Sequence, residues 1–428
     1  MQLSEDFLHY IWQYRLFTRL DLWCKDGQPL QIIDPGLKNT NAGPDFTLAR
    51  LKIGRQLWAG NVEIHLKSSD WLDHKHQSDQ SYDTVILHAV YEDDLEIYRT
   101  DGTVIPVLLL RDIVPAFMAG NYLTLIGAKS FFPCAQQVKD VKQVVINNML
   151  GKMITERFVE KANEIIVKTQ HNHHNWNETM YYLLLRNFGF KVNTVPFELL
   201  ADALPSSLIA RYRDQPKQVA ALLFGVAGFL ERDFNEGYPR QLKTEFLFLQ
   251  KKHRLKPLHR SLWKFMRIHP QNFPVIRIAQ VAALLTGRGQ LFSELLNCNN
   301  VKEIKALLSC FPADPYWNTH SDFDRICRGN AINLGKHSVE NIIINTVCLL
   351  WYAYGQYSGQ PRLMEKAFAL LKTIPSEKNA IVIHYQHSGI QVKDAFASQA
   401  VLQLNKKYCV HKKCLDCMIG IDLLGKKR

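Results

Sequence analysis

Hydrophobic and polar positions change rhythm along this chain. In the opening stretch SEDFLHYIWQYRLF, residues 4–17, apolar side chains recur at helical spacing behind a Ser N-cap and two early acids, which predicts one amphipathic helix. From Leu22 to Arg111 the texture becomes short β-type runs cut by Asp26-Gly27, Asp34-Pro35-Gly36, Gly54-Arg55 and Asp101-Gly102. Strands are predicted at 46–53, 57–67 and 84–91, and a hairpin of 95–98 with 104–110 turns at Asp101-Gly102. Beyond residue 140 strands nearly vanish and the period lengthens to that of helices, at 147–168, 178–187, 218–230, 241–253, 338–354 and 395–407. The fold class expected is an α/β (α+β) N-terminal module with a mixed or antiparallel sheet, followed by a large all-α region. The expected domains are 1–133 and 134–428.

Length and apolar content, 428 residues and 47%, allow sizeable cores in more than one domain. No apolar run approaches the ~18 residues of a membrane span, and the N-terminus lacks the basic start and apolar stretch of a signal peptide. A cytoplasmic protein with no membrane partner is therefore expected. Nine scattered cysteines do not make a disulfide framework. Charge alters the picture more: residues 1–133 carry 12 Lys/Arg against 17 Asp/Glu, and residues 134–428 carry 40 against 23. A basic part beside an acidic part suits a protein that grips a polyanion with one and holds metal ions with the other.

The densest chemistry lies between Asn41 and His88. In Val62-Glu63-Ile64-His65-Leu66-Lys67 the side chains alternate, so Glu63, His65 and Lys67 share one strand face, expected to be exposed or to line a cleft. If 46–53 and 57–67 form a hairpin turning at Gly54-Arg55, Asp45 comes level with Glu63 and Ile64. A strict two-residue turn pairs it with Ile64, on the wrong face; an odd-length turn or a bulge would bring both acids to the same face. Two carboxylates holding Mg²⁺ or Mn²⁺, with a neighbouring basic group, suit phosphodiester hydrolysis. A competing reading of the segment is a zinc site drawn from His65, His74, His76 and His88 with Asp70 or Asp83.

Pro44-Asp45, a gap, then Glu63-Ile64-His65 on the next strand resembles the PD-(D/E)XK nuclease core, whose pattern is an Asp, then an acid, one residue and a Lys. The resemblance implies Asp45 and Glu63 as metal ligands and His65 or Lys67 in the place of the lysine. It also points to Glu5, because such cores often add an acid from the first helix. The chain as a whole resembles an uncharacterised bacterial family of unknown function, through Gly43-Pro44-Asp45-Phe46, Val62-Glu63-Ile64-His65, Asp70-Trp71, His74-Lys75-His76, Tyr82-Asp83, Val85-Ile86-Leu87-His88 and the cysteine-rich end. That second resemblance implies no activity.

Near the C-terminus, Cys409, Cys414 and Cys417 give a Cys-x4-Cys-x2-Cys spacing amid lysines expected to favour the thiolate form. His411 would complete a zinc site, or Cys134 an iron–sulfur cluster; cysteines of a helix core are the alternative. Between Arg240 and Arg277 stand ten basic residues with Glu245 the only acid, and Lys251, Lys252, Arg254, Lys256 and Arg260 are the candidate contacts to DNA or RNA. The function expected is a metal-dependent phosphodiesterase acting on DNA or RNA, with a non-catalytic nucleic-acid-binding or scaffold protein as the alternative.

Overall fold

Apolar alternation builds a sheet at the N-terminus, and helical periodicity builds everything after it. The computed structural model describes residues 3–286, 290–308, 313–327, 329 and 333–427. The first helix, α1 (Glu5–Gln13), is capped by Ser4, whose side chain accepts from the Phe7 N–H, and it buries Phe7, Leu8, Ile11 and Trp12. It stops short of the expected residue 17 because Arg15 turns left-handed, φ 52°.

Seven strands follow: β1 (Leu22–Trp23), β2 (Pro29–Asp34), β3 (Leu37–Lys38), β4 (Phe46–Ile53), β5 (Gln56–Lys67), β6 (Val85–Glu92) and β7 (Val107–Leu109). Their spatial order is β1-β2-β4-β5-β6-β7, with β3 also on β4. The sheet is mixed: β4 and β5 are antiparallel, whereas β6 runs parallel to β5 and β7 parallel to β6. A parallel neighbour requires a crossover, and residues 68–84 supply one that holds the short helix α2 (Asp70–Asp73). The expected hairpin of 95–98 with 104–110 is corrected: only the single bridge Tyr98–Val104 forms, and Val107–Leu109 pairs with β6 instead. The apolar residues 107–109 gain more by extending the buried edge of β6, whose first six residues are all buried, than by pairing with an exposed turn.

Helices dominate after α3 (Ala116–Gly127), from α4 (Gln143–His171) through α5 (Trp176–Phe188), α6 (Thr194–Ala203), α7 (Ser206–Ala210), α8 (Pro216–Val226) and α9 (Gly237–His253) onward. A two-stranded pair, His320–Asp322 with Arg325–Ile326, interrupts them. The expected helices at 338–354 and 395–407 exist, each with a π-helical stretch, Ile343–Cys348 and Asn405–Cys409.

The chain folds as two compact units, residues 1–152 with 379–391 and 401–428, and residues 153–378 with 392–400. The division thus falls elsewhere than at residue 133, because the C-terminal segment belongs to the first unit. Asn121 on α3 donates to the carbonyls of Leu423, Leu424 and Lys426, at 3.2, 3.2 and 2.9 Å. The second unit is helical around buried aromatics such as Phe224, stacked on Trp317 at 5.3 Å. No helix among the described residues is long and apolar enough to cross a membrane.

Candidate metal centre

The β4–β5 hairpin turns at Gly54-Arg55 and pairs Ile53 with Gln56 and so on up to Ala49 with Gly60; between Ala49 and Phe46 the register slips, and Phe46 faces Val62. Leu48 occupies the extra position, at φ 59° and 72% exposed. This β-bulge shifts Asp45 from opposite Ile64 to opposite Glu63, as the face argument requires. Gly36 packs against it at φ +88°, where an added Cβ would meet the Thr47 carbonyl oxygen at 2.6 Å. The two acids are interlocked through backbone: Asp45 N–H donates to Glu63 Oε2 and Ile64 N–H donates to Asp45 Oδ2, both at 3.0 Å.

The face that carries Glu63 and His65 is covered, not open, which corrects the expected exposed or cleft-lining strand face. Glu63 is 4% and His65 1% exposed. The physical reason is the crossover, which folds Trp71, His74, His76 and Tyr82 over them. His76 stacks between His65, at 5.3 Å, and Tyr82, at 3.8 Å. Trp71 is core, 2% exposed, and packs edge-on to His88.

His65, His74 and His76 place ring nitrogens within 4.8 Å of one another. Glu63 Oε1 lies 3.4 Å from His65 Nε2 and 3.2 Å from His76 Nε2. His65 Nδ1 is 2.9 Å from His88 Nε2. With His65 donating in that bond, its Nε2 lone pair points toward Glu63 and is free to bind a cation. From α1, His9 Nε2 sits 3.1 Å from Asp45 Oδ2, and Glu5 feels the charges of His74, Asp45 and His9. His9 was invisible in the sequence, where it is one polar position of an amphipathic helix.

Burial sets the protonation of this cluster. It raises the Glu63 carboxyl, against hydrogen bonding from His76, and the nearby Asp45 charge raises it further. Burial, followed by the neighbouring imidazoles, pushes His65 down to about 2; burial also pushes His88 down to about 4. His65 is therefore a neutral imidazole, suited to bind a cation and unable to act as one. Lys67 stands outside the cluster, exposed, with its charge acting on Asp94. The other two acids considered for the site are engaged elsewhere. Asp70 Oδ2 accepts the Lys67 N–H at 2.8 Å, and Asp83 Oδ1 accepts the Thr100 hydroxyl at 2.7 Å.

A family model described as "Protein of unknown function (DUF2851)" matches residues 5–380. The chain belongs to that family. No curated protein and no solved structure matches the chain. The span that defines the family includes Asp45, Glu63, the histidine cluster, Cys134 and the basic stretch; Cys409, Cys414 and Cys417 lie beyond it.

Cys134, Cys414 and Cys417 are buried and Cys409 is partly so. The expectation that nearby lysines favour thiolates is corrected. Burial pushes Cys409 and Cys414 up to about 12, with repulsion from neighbouring cysteines adding to it, and burial raises Cys134 as well. His411 is exposed, whereas Cys134 is buried and within electrostatic range of Cys409, Cys414 and Cys417.

In the second unit, Lys251, Lys252, Arg254 and Lys256 are exposed at the end of α9, where Arg254 closes the helix at φ 54°. Arg260 differs. Its guanidinium bonds Asp322 at 3.0 Å and lies over the rings of Phe229 and Phe265, which makes it a packing residue. Arg277 is buried, hydrogen-bonded to Gln280 and Ser338, over the ring of Phe190.

Proposed function

We propose that this protein is a metal-dependent phosphodiesterase acting on nucleic acid, with its centre built from Asp45, Glu63, His65, His74 and His76. The observation that carries the reading is the β4 bulge, which brings Asp45 level with Glu63 beside three converging imidazoles. The donor set fits a divalent cation: the carboxylates of Asp45 and Glu63 with the imidazoles of His65, His74 and His76, Glu63 Oε1 already lying 3.4 Å from His65 Nε2 and 3.2 Å from His76 Nε2. Imidazole donors favour Mn²⁺ or zinc over Mg²⁺, which prefers oxygen. A divalent ion bound there supplies a polarised phosphoryl oxygen and a more acidic water.

The residues around that ion have separable duties. Asp45 is held by the Ile64 N–H and by His9, so its carboxylate keeps one orientation. His88 fixes the ring of His65 through Nδ1. Glu63, raised by burial, is a carboxyl that can hold a proton nearer neutrality than an exposed glutamate. The four exposed cations at the end of α9 suit a phosphate backbone.

The test is cleavage of labelled single-stranded DNA, duplex DNA and RNA with Mg²⁺, Mn²⁺ or Zn²⁺, by the wild type beside Glu63→Gln and Asp45→Asn. Metal-dependent cleavage that falls about 100-fold or more in both variants is expected. Equal cleavage by all three proteins, or none with any metal, rejects it. One observation favours a second reading, a non-catalytic nucleic-acid-binding scaffold: the position of the nuclease lysine holds a neutral His65, and Lys67 is outside the cluster. Binding that persists in EDTA without any cleavage would select that reading.

A further inference from the structure

Four cysteines distant in sequence converge within the first unit. Cys134 follows α3, whereas Cys409, Cys414 and Cys417 lie near the C-terminus, and all four are free thiols. The returning segment is fixed by Asn121 and by Lys412, whose Nζ donates to the Ile126 carbonyl at 2.6 Å. Phe132, two residues before Cys134, stacks on Tyr385 with centroids 4.1 Å apart, and the Tyr385 hydroxyl donates to Asn405 Oδ1 at 3.3 Å, four residues before Cys409. Each of the four sulfurs lies within electrostatic range of other members of the set.

A largely buried, sulfur-only donor set selects zinc or an iron–sulfur cluster. Spacing separates the two. One tetrahedral zinc, with Zn–S about 2.3 Å, draws its sulfurs to about 3.8 Å from one another. Among the described residues the set whose donor atoms all lie within 4.8 Å is His65, His74 and His76, so the four sulfurs are spread more widely than one ion needs. A Cβ on Gly420 would meet the Cys414 carbonyl oxygen at 2.1 Å, so the turn that carries Cys414 and Cys417 admits only glycine there.

We propose that Cys134, Cys409, Cys414 and Cys417 ligate one iron–sulfur cluster, which clasps the C-terminal segment to the stretch after α3. The cluster is independent of the phosphodiesterase reading. The test is elemental analysis and visible absorption of the full chain purified without oxygen, beside Cys409→Ser, Cys414→Ser and, as a control outside the set, Cys298→Ser. Expected are a brown protein with roughly four irons and four inorganic sulfides per chain, at least a tenfold loss of iron in the first two variants, and full iron in the control. One zinc per chain without sulfide overturns the cluster. Metal-free wild type, or iron retained in folded Cys409→Ser and Cys414→Ser, overturns the whole site. If either variant fails to fold, the wild-type iron and sulfide content decides.

Discussion

At the scale of single residues, burial rather than residue type decides what the site can do. His65 occupies the lysine position of the resembled nuclease core, yet its surroundings keep it uncharged. An uncharged imidazole cannot serve as the counter-charge to phosphate that a lysine there would supply. The same burial makes stability depend on pH. His65 and His88 titrate in the unfolded chain near the ordinary value of about 6.5, and in the fold only at about 2 and about 4. Below pH 6.5 the unfolded chain takes up protons that the fold excludes, so their stabilisation is complete above that pH and is lost as pH falls toward the folded values. Glu63, raised by burial, acts in the opposite sense above its ordinary value of 4.5, one group against two. Metal-free protein should lose about 2 kcal/mol between pH 7 and pH 5, measured by urea unfolding at both. A midpoint that does not move, or moves upward, would contradict the buried neutral imidazoles.

At the scale of elements, one extra residue in β4 decides whether a site exists. Asp45 and Glu63 share a face only because Leu48 is accommodated as a bulge. Leu48→Gly should leave fold and metal affinity intact and stabilise by up to about 1 kcal/mol, since glycine adopts positive φ without steric cost. Deleting Leu48 should restore the strict register, turn Asp45 away from Glu63 and weaken Mn²⁺ binding at least tenfold while the sheet persists by circular dichroism. Retained affinity in a folded deletion variant would refute the link between bulge and site. Strands 46–53 and 57–67 and the main helices were legible from periodicity alone. The place of the 95–110 segment was not, because pairing with β6 depends on a neighbour that local pattern does not name.

At the scale of the molecule, the cationic stretch and the chain ends carry the predictions. Replacing Lys251, Lys252, Arg254 and Lys256 with Glu should weaken nucleic-acid binding. It should also lower the salt slope of log K by about 0.9 for each phosphate left unneutralised, as read by fluorescence anisotropy at several salt concentrations. Arg260→Ala should change that slope little and instead lower thermal stability, because its guanidinium is spent on Asp322 and two rings. A fragment of residues 1–133 should fail to give a cooperative melt, because its unit is completed by residues 379–391 and 401–428. A stable, cooperative fragment would show those segments to be dispensable.

The sequence by itself determined the kinds of element, the turn at Gly54-Arg55, the strand that carries Glu63 and His65, and the inventory of donors, because periodicity and turn chemistry are local. It also posed the register problem at Asp45 without solving it. Only the tertiary structure decided that the crossover closes His76 over Glu63 and sets His74 beside His65, that His9 reaches Asp45, that Lys67 and Arg260 stand apart from the roles they suggested, and that Cys134 comes near a cysteine trio more than 270 positions away. Such pairings come from burial and long-range packing, which reward contacts between segments whose separation along the chain carries no signal.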